Sequence, residues 1–448
     1  MISPRDILGR LGGVRLTPRL GLALAVGALV VAMLPGALAW VVALAWLVAL
    51  AVAVRRDIAA TPATADLAIE RSGPAKYSIG VPNRVVLHIR NSSAHPARLS
   101  GRESPPPEFV GERAFGPLAI ALHDGAEVEL SFVPPRRGAY AFDRIGVRLI
   151  GPLGLAGRQL TIGSAEEIRV YPDITAVQRY SLLARRGALH EIGVRAMRFA
   201  GRGTEFESLR DYAPGDSYRD IDWKATARRG RPVVRQFEAE RSQTVVLAID
   251  AGRLMTAQVG GLSKLDRAVN AALLLAFLAT RMGDSVGLLV FGRDVRTYLP
   301  PRKGHRQFLA ILEALYSVEE RVEEPDYAGA LRYLAARVGK RSLVVLFTEL
   351  VGTDPSRRLL GVLSTLSPRH LPLVITQRNE EVERIASAHA DVESDAMRAA
   401  VAQDLLHDKT RAVRLLRARG SLVLDVFPEE LSVAAVNRYL EIKARGRL

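Results

Sequence analysis

Carboxylate and basic side chains crowd residues 203–238, immediately before an apolar run. The acids are Glu205, Glu207, Asp211, Asp216, Asp220 and Asp222. Carboxylate oxygens at this density are ligands that a hard metal ion prefers. The basic residues among them are Arg210, Arg219, Lys224 and Arg228. Because the acids have bases close by, an ion-pair network is favoured over a metal site in this segment.

The same segment carries the local signals of a turn and a short helix. Pro214-Gly215 suits a type II turn, in which Pro fixes φ at the first central position and Gly supplies a positive φ at the second. Asp216 then occupies an N-cap position, and Gly230 follows the last turn of a helix predicted over 217–229.

Aromatic residues indicate how the segment is held in place. Tyr212, Trp223 and Phe237 are predicted to pack onto the following sheet, and Trp223 has the size of a core residue. The segment is therefore predicted to be a structural clamp between domains, with Arg219 pairing with a carboxylate at partial exposure. The alternative is a docking surface.

From residue 244 onward, apolar strands alternate with helices. Strands are predicted over 244–250, 285–291, 342–348, 371–376 and 421–426. Helices are predicted over 264–281, 305–315, 327–338, 355–366, 394–418 and 431–442. This alternation predicts an α/β domain with a doubly wound parallel sheet. Ligands of such sheets bind at the carboxyl ends of the strands, where Asp250, Thr348 and Glu349 lie.

Residues 20–54 include no charged side chain, and Pro35-Gly36 interrupts them. As one helix these 35 residues would extend about 52 Å, against a hydrocarbon core of about 30 Å. Two transmembrane spans, 20–34 and 37–54, are therefore predicted after a cytoplasmic tail of residues 1–19. Arginines flank both ends of the hairpin, which places both in the cytoplasm. The alternative is a signal peptide cleaved near 37–39, although the apolar run continues beyond that site.

Between residues 65 and 175, short extended runs recur with turn residues between them. Strands are predicted over 75–79, 84–90, 127–132, 139–149 and 167–171. Strands at this spacing predict a small β-sandwich. His88 and His123 are isolated in the sequence, so no ligand site is predicted here.

Composition limits the class of protein. The chain has 448 residues, a formal net charge of +15 and no Cys, which predicts two soluble domains and excludes disulfides and thiolate chemistry. Basic residues are scattered and mostly Arg, so the charge favours an anionic lipid surface over nucleic acid. No P-loop, G-x-S-x-G or H-E-x-x-H motif is present, so no enzymatic activity is predicted.

Three motifs stand in fixed order before the strand that ends at Asp250. They are Gly203-x-Glu205-Phe206, Arg210-x-Tyr212-x-Pro214-Gly215-Asp216 and Arg219-x-Ile221-Asp222-Trp223-Lys224. Together they resemble the bacterial family called domain of unknown function 58. Its members join a membrane hairpin, a β-rich segment and a von Willebrand factor A-like domain. The resemblance implies a hairpin at 20–54, a β-sandwich at 65–175, a signature connector at 176–243 and a von Willebrand factor A-like domain at 244–448.

The resemblance also implies which residues would bind a metal ion. The adhesion site of the von Willebrand factor A fold uses Asp-x-Ser-x-Ser after the first strand, a Thr from a later loop and an Asp after the fourth strand. Here Gly252 and Leu254 replace both serines, and only Asp250 remains of the set, with Asp326 and Glu349 as substitutes. The set is incomplete, so a degenerate site without Mg²⁺ or another cofactor is expected.

The resemblance also implies a partner, because genes of such proteins commonly accompany MoxR-type AAA+ ATPases. The chain is therefore expected to be a multi-pass adaptor of the bacterial inner membrane with cytoplasmic soluble domains, contacting membrane lipid and no nucleic acid. One alternative is a metal-dependent binding or hydrolytic protein that uses Asp250, Asp326 and Glu349. A third hypothesis is that the chain binds nucleic acid through its positive charge.

Overall fold

The computed structural model describes residues 13–185, 205–213, 218, 221–238, 242–350, 353–389 and 392–446. The chain forms two compact units, of which the first ends at Val170 and the second begins at Tyr171. Each unit buries its own set of apolar side chains.

Two helices open the first unit, α1 (Pro18–Ala32) and α2 (Gly36–Ala59). The predicted break at Pro35 is confirmed, because Pro35 lies in extended backbone directly before α2. The helices contact each other where the indole N–H of Trp46 donates to the carbonyl of Ala23 at 3.3 Å. Among the described residues, the helix that begins at Gly36 is the one long and apolar enough to cross a membrane, whereas α1 is shorter.

The rest of the first unit is β-rich. Its strands are β1 (Val14–Leu16), β2 (Leu67–Ser72), β3 (Tyr77–Ser78), β4 (Asn83–Asn91), β5 (Ala97–Arg102), β6 (Val110–Gly111), β7 (Ala114–Ile120), β8 (Gly125–Val133), β9 (Gly138–Phe142), β10 (Ile145–Ile150), β11 (Ala156–Ile162) and β12 (Glu166–Tyr171). They form sheets with the strand orders β1-β11-β10-β5-β7, β2-β4-β8-β6 and β3-β12-β9. Buried and exposed residues alternate along β4 and β10, so each of these strands turns one face to a core.

The single strand predicted over 139–149 is wrong. The structure divides it into β9 and β10, because the chain turns at Asp143, whose backbone N–H donates to the carbonyl of Ser104 and whose side chain accepts from the N–H of Arg144. The two halves consequently pair in different sheets.

The second unit has a mixed α/β architecture. Its helices are α3 (Ile174–Arg185), α4 (Trp223–Arg229), α5 (Lys264–Arg281), α6 (His305–Tyr316), α7 (Tyr327–Arg337), α8 (Thr353–Leu366), α9 (Glu380–Ser387), α10 (Glu393–Ala418) and α11 (Leu431–Ala444). Its strands are β13 (Glu205–Asp211), β14 (Val233–Glu238), β15 (Thr244–Asp250), β16 (Gln258–Val259), β17 (Leu262–Ser263), β18 (Ser285–Phe291), β19 (Val295–Arg302), β20 (Leu343–Phe347), β21 (Leu371–Gln377) and β22 (Leu422–Val426).

A six-stranded sheet with the order β19-β18-β15-β20-β21-β22 forms the centre of this unit. All its neighbouring strands pair in parallel except β18 and β19. Buried apolar residues of α5, α6 and α11 join one cluster with Val245 and Leu247, and buried apolar residues of α7, α8 and α10 join another with Val246 and Ala248. Alternate residues of β15 thus face opposite helical layers, as the continuous apolar strands predict.

Several elements of this unit were absent from the sequence prediction, among them the strand β19 and the helix α9. β19 includes Pro300 and Pro301, which argue against a strand but are tolerated here because β19 lies at the sheet edge. α9 is short and begins at an N-cap, Asn379, whose side chain accepts hydrogen bonds from two backbone N–H groups.

Candidate functional site

Asp250 ends β15, at the carboxyl edge of the sheet, and only 1% of its surface is exposed. Its carboxylate accepts hydrogen bonds from the backbone N–H of Gly252 at 2.8 Å, the hydroxyl of Tyr327 at 2.9 Å and the hydroxyl of Thr348 at 2.6 Å. Both carboxylate oxygens are therefore occupied by neutral donors.

Burial raises the pKa of Asp250, and the hydrogen bonds from Thr348, Gly252 and Tyr327 only partly offset this effect. The pKa of Tyr327 lies well above its usual value, first because of burial and then because of the nearby carboxylate. The phenol therefore remains a hydrogen-bond donor at neutral pH.

Glu349 follows β20 at the same edge and is likewise buried. Its carboxylate lies 2.6 Å from Nζ of Lys264 and 3.3 Å from Nζ of Lys409, and it also accepts from the hydroxyl of Thr376 at 3.1 Å. Burial alone would raise the pKa of Glu349, but the charges of Lys409 and Lys264 outweigh it and hold the pKa below its usual value. Two ammonium groups thus compensate this buried charge.

Asp326 has a different role from the other two predicted ligands. It is the N-cap of α7, exposed, and its side chain accepts a hydrogen bond from the backbone N–H of Gly329 at 3.0 Å. The structure therefore places Asp250 and Glu349 at one sheet edge with separate donors, and Asp326 at a helix terminus. Within the described ranges, no group of three or more His, Asp or Glu side chains is arranged to hold a metal ion.

Sequence reasoning did not assign a role to Lys264 or Lys409. Lys264 is the first residue of α5, directly after the N-cap Ser263. A cation is disfavoured at that end of a helix, so its position was a usable signal that a carboxylate compensates it. Lys409 lies in the middle of α10, where the sequence offers no comparable signal.

The signature segment forms a small element of its own. β13 and β14 pair as a two-stranded antiparallel sheet with α4 between them in the chain, and Glu205 lies opposite Glu238 at its end. The helix predicted over 217–229 is wrong in its start: α4 begins at Trp223, because the side chain of Asp222 caps it by accepting from the N–H of Ala225 at 3.0 Å. Gly230, at φ 69°, ends it as predicted. Pro214, Gly215, Asp216 and Arg219 lie outside the described residues.

The predicted burial of Trp223 is also wrong. Trp223 is 68% exposed and Tyr218 74% exposed, whereas Ile221, Val233 and Val234 are buried among the side chains that the structure describes in this segment. Lys224, Arg228 and Arg210 are exposed as well, and Tyr212 stacks on Tyr218 with ring centroids 5.8 Å apart. We call Tyr218, Trp223, Lys224 and Arg228 the Trp223 surface.

Residues 208–414 match the family described as "Protein of unknown function DUF58". The DUF58 match thus begins in β13 and ends in α10, so it includes the Trp223 surface and the buried carboxylates Asp250 and Glu349. It does not extend over α1, α2 or the β-rich region of the first unit.

Relatives of the chain include the uncharacterized protein Rv1480 of Mycobacterium tuberculosis, 26% identical over 265 residues, or 55% of this chain and 82% of that protein. The uncharacterized protein YeaD of Bacillus subtilis is 26% identical over 217 residues, or 48% of this chain and 50% of that protein. Among solved structures, the conserved hypothetical protein BatB from Bacteroides thetaiotaomicron is similar at 15% identity and a TM-score of 0.30, with 45% of this chain and 99% of that chain covered.

Proposed function

We propose that this chain is a multi-pass adaptor protein of the bacterial inner membrane that works with a MoxR-type AAA+ ATPase from the cytoplasmic side and has no catalytic activity of its own. The observation that carries the proposal is the exposure of Trp223 and Tyr218 in a segment whose basic residues Lys224 and Arg228 are also exposed. Exposed Trp, Tyr and Arg side chains are the residues that most often dominate protein–protein binding energy.

Membrane anchoring is supported by the apolar helices α1 and α2, which contact each other through Trp46 and Ala23. In the proposed topology both helices cross the bilayer. Arg19, Arg55 and Arg56 flank the apolar residues on one side, which favours the cytoplasm for that side.

We further infer that the second unit has a von Willebrand factor A-like fold and that the first is a β-sandwich. The central parallel sheet with one antiparallel edge strand and helices on both faces supports the former. The antiparallel sheets of four and five strands, with alternating burial, support the latter. In the proposed adaptor the α/β unit carries the docking surface.

Metal-independent docking is supported by the two buried carboxylates. A cation at Asp250 would have to displace the hydroxyls of Tyr327 and Thr348, and at Glu349 it would be repelled by Lys264 and Lys409. The alternative is a metal-dependent binding or hydrolytic protein. It additionally requires Asp326, the exposed N-cap of α7, to give up its cap position and move to Asp250 and Glu349.

The Trp223 surface combines aromatic rings with positive charge, so we propose that it fits an apolar pocket with an acidic rim on the ATPase. The test is capture of the purified MoxR-type ATPase of the same organism by the tagged full chain in detergent. Capture by the wild-type chain and its loss in Trp223→Ala are expected. The control is Leu309→Ala, an exposed apolar residue on α6, which should still capture the ATPase. Absence of capture by the wild-type chain contradicts the partner, and unchanged capture by Trp223→Ala contradicts the surface.

A further inference from the structure

The C-terminal end of α2 is hydrogen-bonded to the loop between β10 and β11. Asp57, in the last turn of α2 and 1% exposed, accepts hydrogen bonds from the backbone N–H groups of Leu153 at 2.7 Å, Leu155 at 2.8 Å and Ala156 at 2.9 Å. A buried carboxylate held by three backbone donors is a strong, directional connection. The loop therefore cannot move away from the helix end without leaving that charge unsatisfied.

The N-terminal end of α1 is hydrogen-bonded to the same loop. Thr17, which precedes α1, donates its hydroxyl to the carbonyl of Gly154 and its backbone N–H to the carbonyl of Leu155 at 3.1 Å. The strand β1, just before it, pairs with β11. Both ends of the helical hairpin thus converge on residues 151–156, which we call the seat loop.

The glycines of the seat loop are required by this close approach. A Cβ at Gly151 would lie 2.3 Å from Oδ1 of Asp57, and one at Gly154, where φ is +70°, would lie 2.8 Å from Nη1 of Arg19. A side chain at Gly151 would therefore displace the Asp57 carboxylate, and at Gly154 the positive φ disfavours residues other than glycine.

The length of α2 locates the seat loop relative to a bilayer. From Gly36 to Asp57 an α-helix rises about 32 Å, against a hydrocarbon thickness of about 30 Å. Asp57 consequently lies at the level of the lipid headgroups when α2 spans the membrane, and the backbone of Leu153 lies one hydrogen bond away. Leu153 is 53% exposed there, and the exposed side chains of Arg19, Arg55 and Arg56 lie at the same helix ends.

We propose that the seat loop is a lipid-contact site, in which Leu153 enters the headgroup region of the bilayer and Arg19, Arg55 and Arg56 bind anionic phospholipid headgroups. We assign phospholipid as the ligand because the loop is hydrogen-bonded to the spanning helix and because positive charge surrounds it. Asp57 is the positioning residue that holds the loop at this depth. The inference rests on the proposed membrane anchoring through α2.

The chain has no Cys, so single-cysteine labelling needs no background substitutions. We would label Leu153→Cys with an environment-sensitive fluorophore in the full chain and reconstitute it in phosphatidylcholine nanodiscs with and without phosphatidylglycerol. The control site is Val110→Cys, which is also exposed and lies in β6, just before β7. β7 starts beside Arg102, and Arg102 pairs with Gly146 near the start of β10. The seat loop follows the other end of β10, so the control site lies at the opposite end of the β-rich region.

We expect a blue-shifted emission at residue 153 and severalfold stronger quenching by a nitroxide near the lipid headgroup than at residue 110. Phosphatidylglycerol should strengthen the quenching at 153, and Arg55→Gln with Arg56→Gln should remove that gain. Equal quenching at both sites, in a chain that enters nanodiscs, would overturn the lipid contact while leaving the anchoring intact. A chain that does not enter nanodiscs at all would instead overturn the anchoring and, with it, this inference.

A second variant tests the role of Asp57. Asp57→Asn keeps the side-chain size but replaces one acceptor oxygen by an amide donor that faces backbone N–H groups. We expect the variant to enter nanodiscs through its unchanged apolar helices and to lose most of the quenching at residue 153. Unchanged quenching would overturn the positioning role of Asp57.

Discussion

The hydroxyl of Tyr327 lies 2.9 Å from Oδ2 of Asp250, which is 77 positions earlier in the chain. This hydrogen bond connects the first residue of α7 to the end of β15, and Thr348 joins it from the end of β20. The protein's own hydroxyls thus satisfy the carboxylate at the sheet edge where the sequence predicted a degenerate metal site. Much of the behaviour of this edge follows from these hydroxyl donors.

Replacing Tyr327 by Phe should destabilise the second unit by about 1–3 kcal/mol, because a buried acceptor loses a donor while the ring can keep its edge contact with Phe291. Chemical denaturation of the full chain in detergent measures the change. Tyr333→Phe, a half-buried tyrosine of the same helix, is the control and should change the stability by less than about 0.5 kcal/mol. Equal effects of the two variants would contradict a specific role of the Tyr327 hydroxyl.

The pH dependence of Asp250 and Glu349 should have opposite signs. The folded-state pKa of Asp250 is raised, so its contribution to stability is present below the unfolded-state pKa and is lost as pH rises through the folded-state value. The pKa of Glu349 is lowered, so its contribution is present above the unfolded-state pKa and is lost as pH falls through the folded-state value. Asp250→Asn should therefore make the stability fall more steeply on acidification. Denaturation midpoints measured from neutral to acidic pH test this, and a shallower acid loss in that variant would contradict it.

Replacing Lys264 by Met should cost about 3–5 kcal/mol, because it leaves the buried carboxylate of Glu349 with a single remaining ammonium, that of Lys409. The acid-side loss of stability attributed to Glu349 should shrink at the same time, since its pKa is then less depressed. Arg384→Met, which removes an exposed ion pair with Glu381, serves as the control and should leave the midpoint unchanged. A Lys264→Met protein as stable as the wild type would show that this pair is not a buried, coupled one.

Isothermal calorimetry should detect at most weak binding of Mg²⁺ or Mn²⁺ to the full chain in detergent. The donors on Asp250 and the lysines around Glu349 compete with any cation. Binding with a Kd of about 100 μM or tighter, about 5.5 kcal/mol, would establish the metal-dependent alternative. Loss of that binding in Asp250→Ala would then place the ion at this sheet edge.

Trp223→Ala should leave the thermal midpoint almost unchanged, with a stability change below about 0.5 kcal/mol, because the side chain is exposed. A buried tryptophan would cost about 3–5 kcal/mol. Differential scanning calorimetry distinguishes the two, and the same protein should fail to capture the ATPase. A large fall in the midpoint would restore the clamp that the sequence predicted.

Reporter fusions after Arg56 and at the carboxyl terminus should both report the cytoplasm. The reason is that arginines flank the apolar residues 20–54 at both ends, whereas the turn at Pro35-Gly36 carries no charge. A reporter active in the periplasm at either position would contradict the two-span topology.

The sequence alone determined the features that depend on neighbouring residues. The strand over 244–250, the strand over 285–291 and the helix over 264–281 were predicted with the bounds that the structure has, because continuous apolar runs and a helical repeat are local patterns. The helix break at Pro35 belongs to the same class, since proline acts on its own backbone.

Only the tertiary structure decided which side chains meet. Lys264 and Glu349 are 85 positions apart, and Asp57 and Leu153 are 96 apart, so no local pattern connects them. The exposure of Trp223 was decided in the same way, because its neighbours Ile221, Val233 and Val234 are buried while Trp223 is not. Residue type states what a side chain can bind, whereas burial and partner depend on how strands distant in sequence are brought together, and at this sheet edge that arrangement gave the carboxylates hydroxyl and ammonium partners.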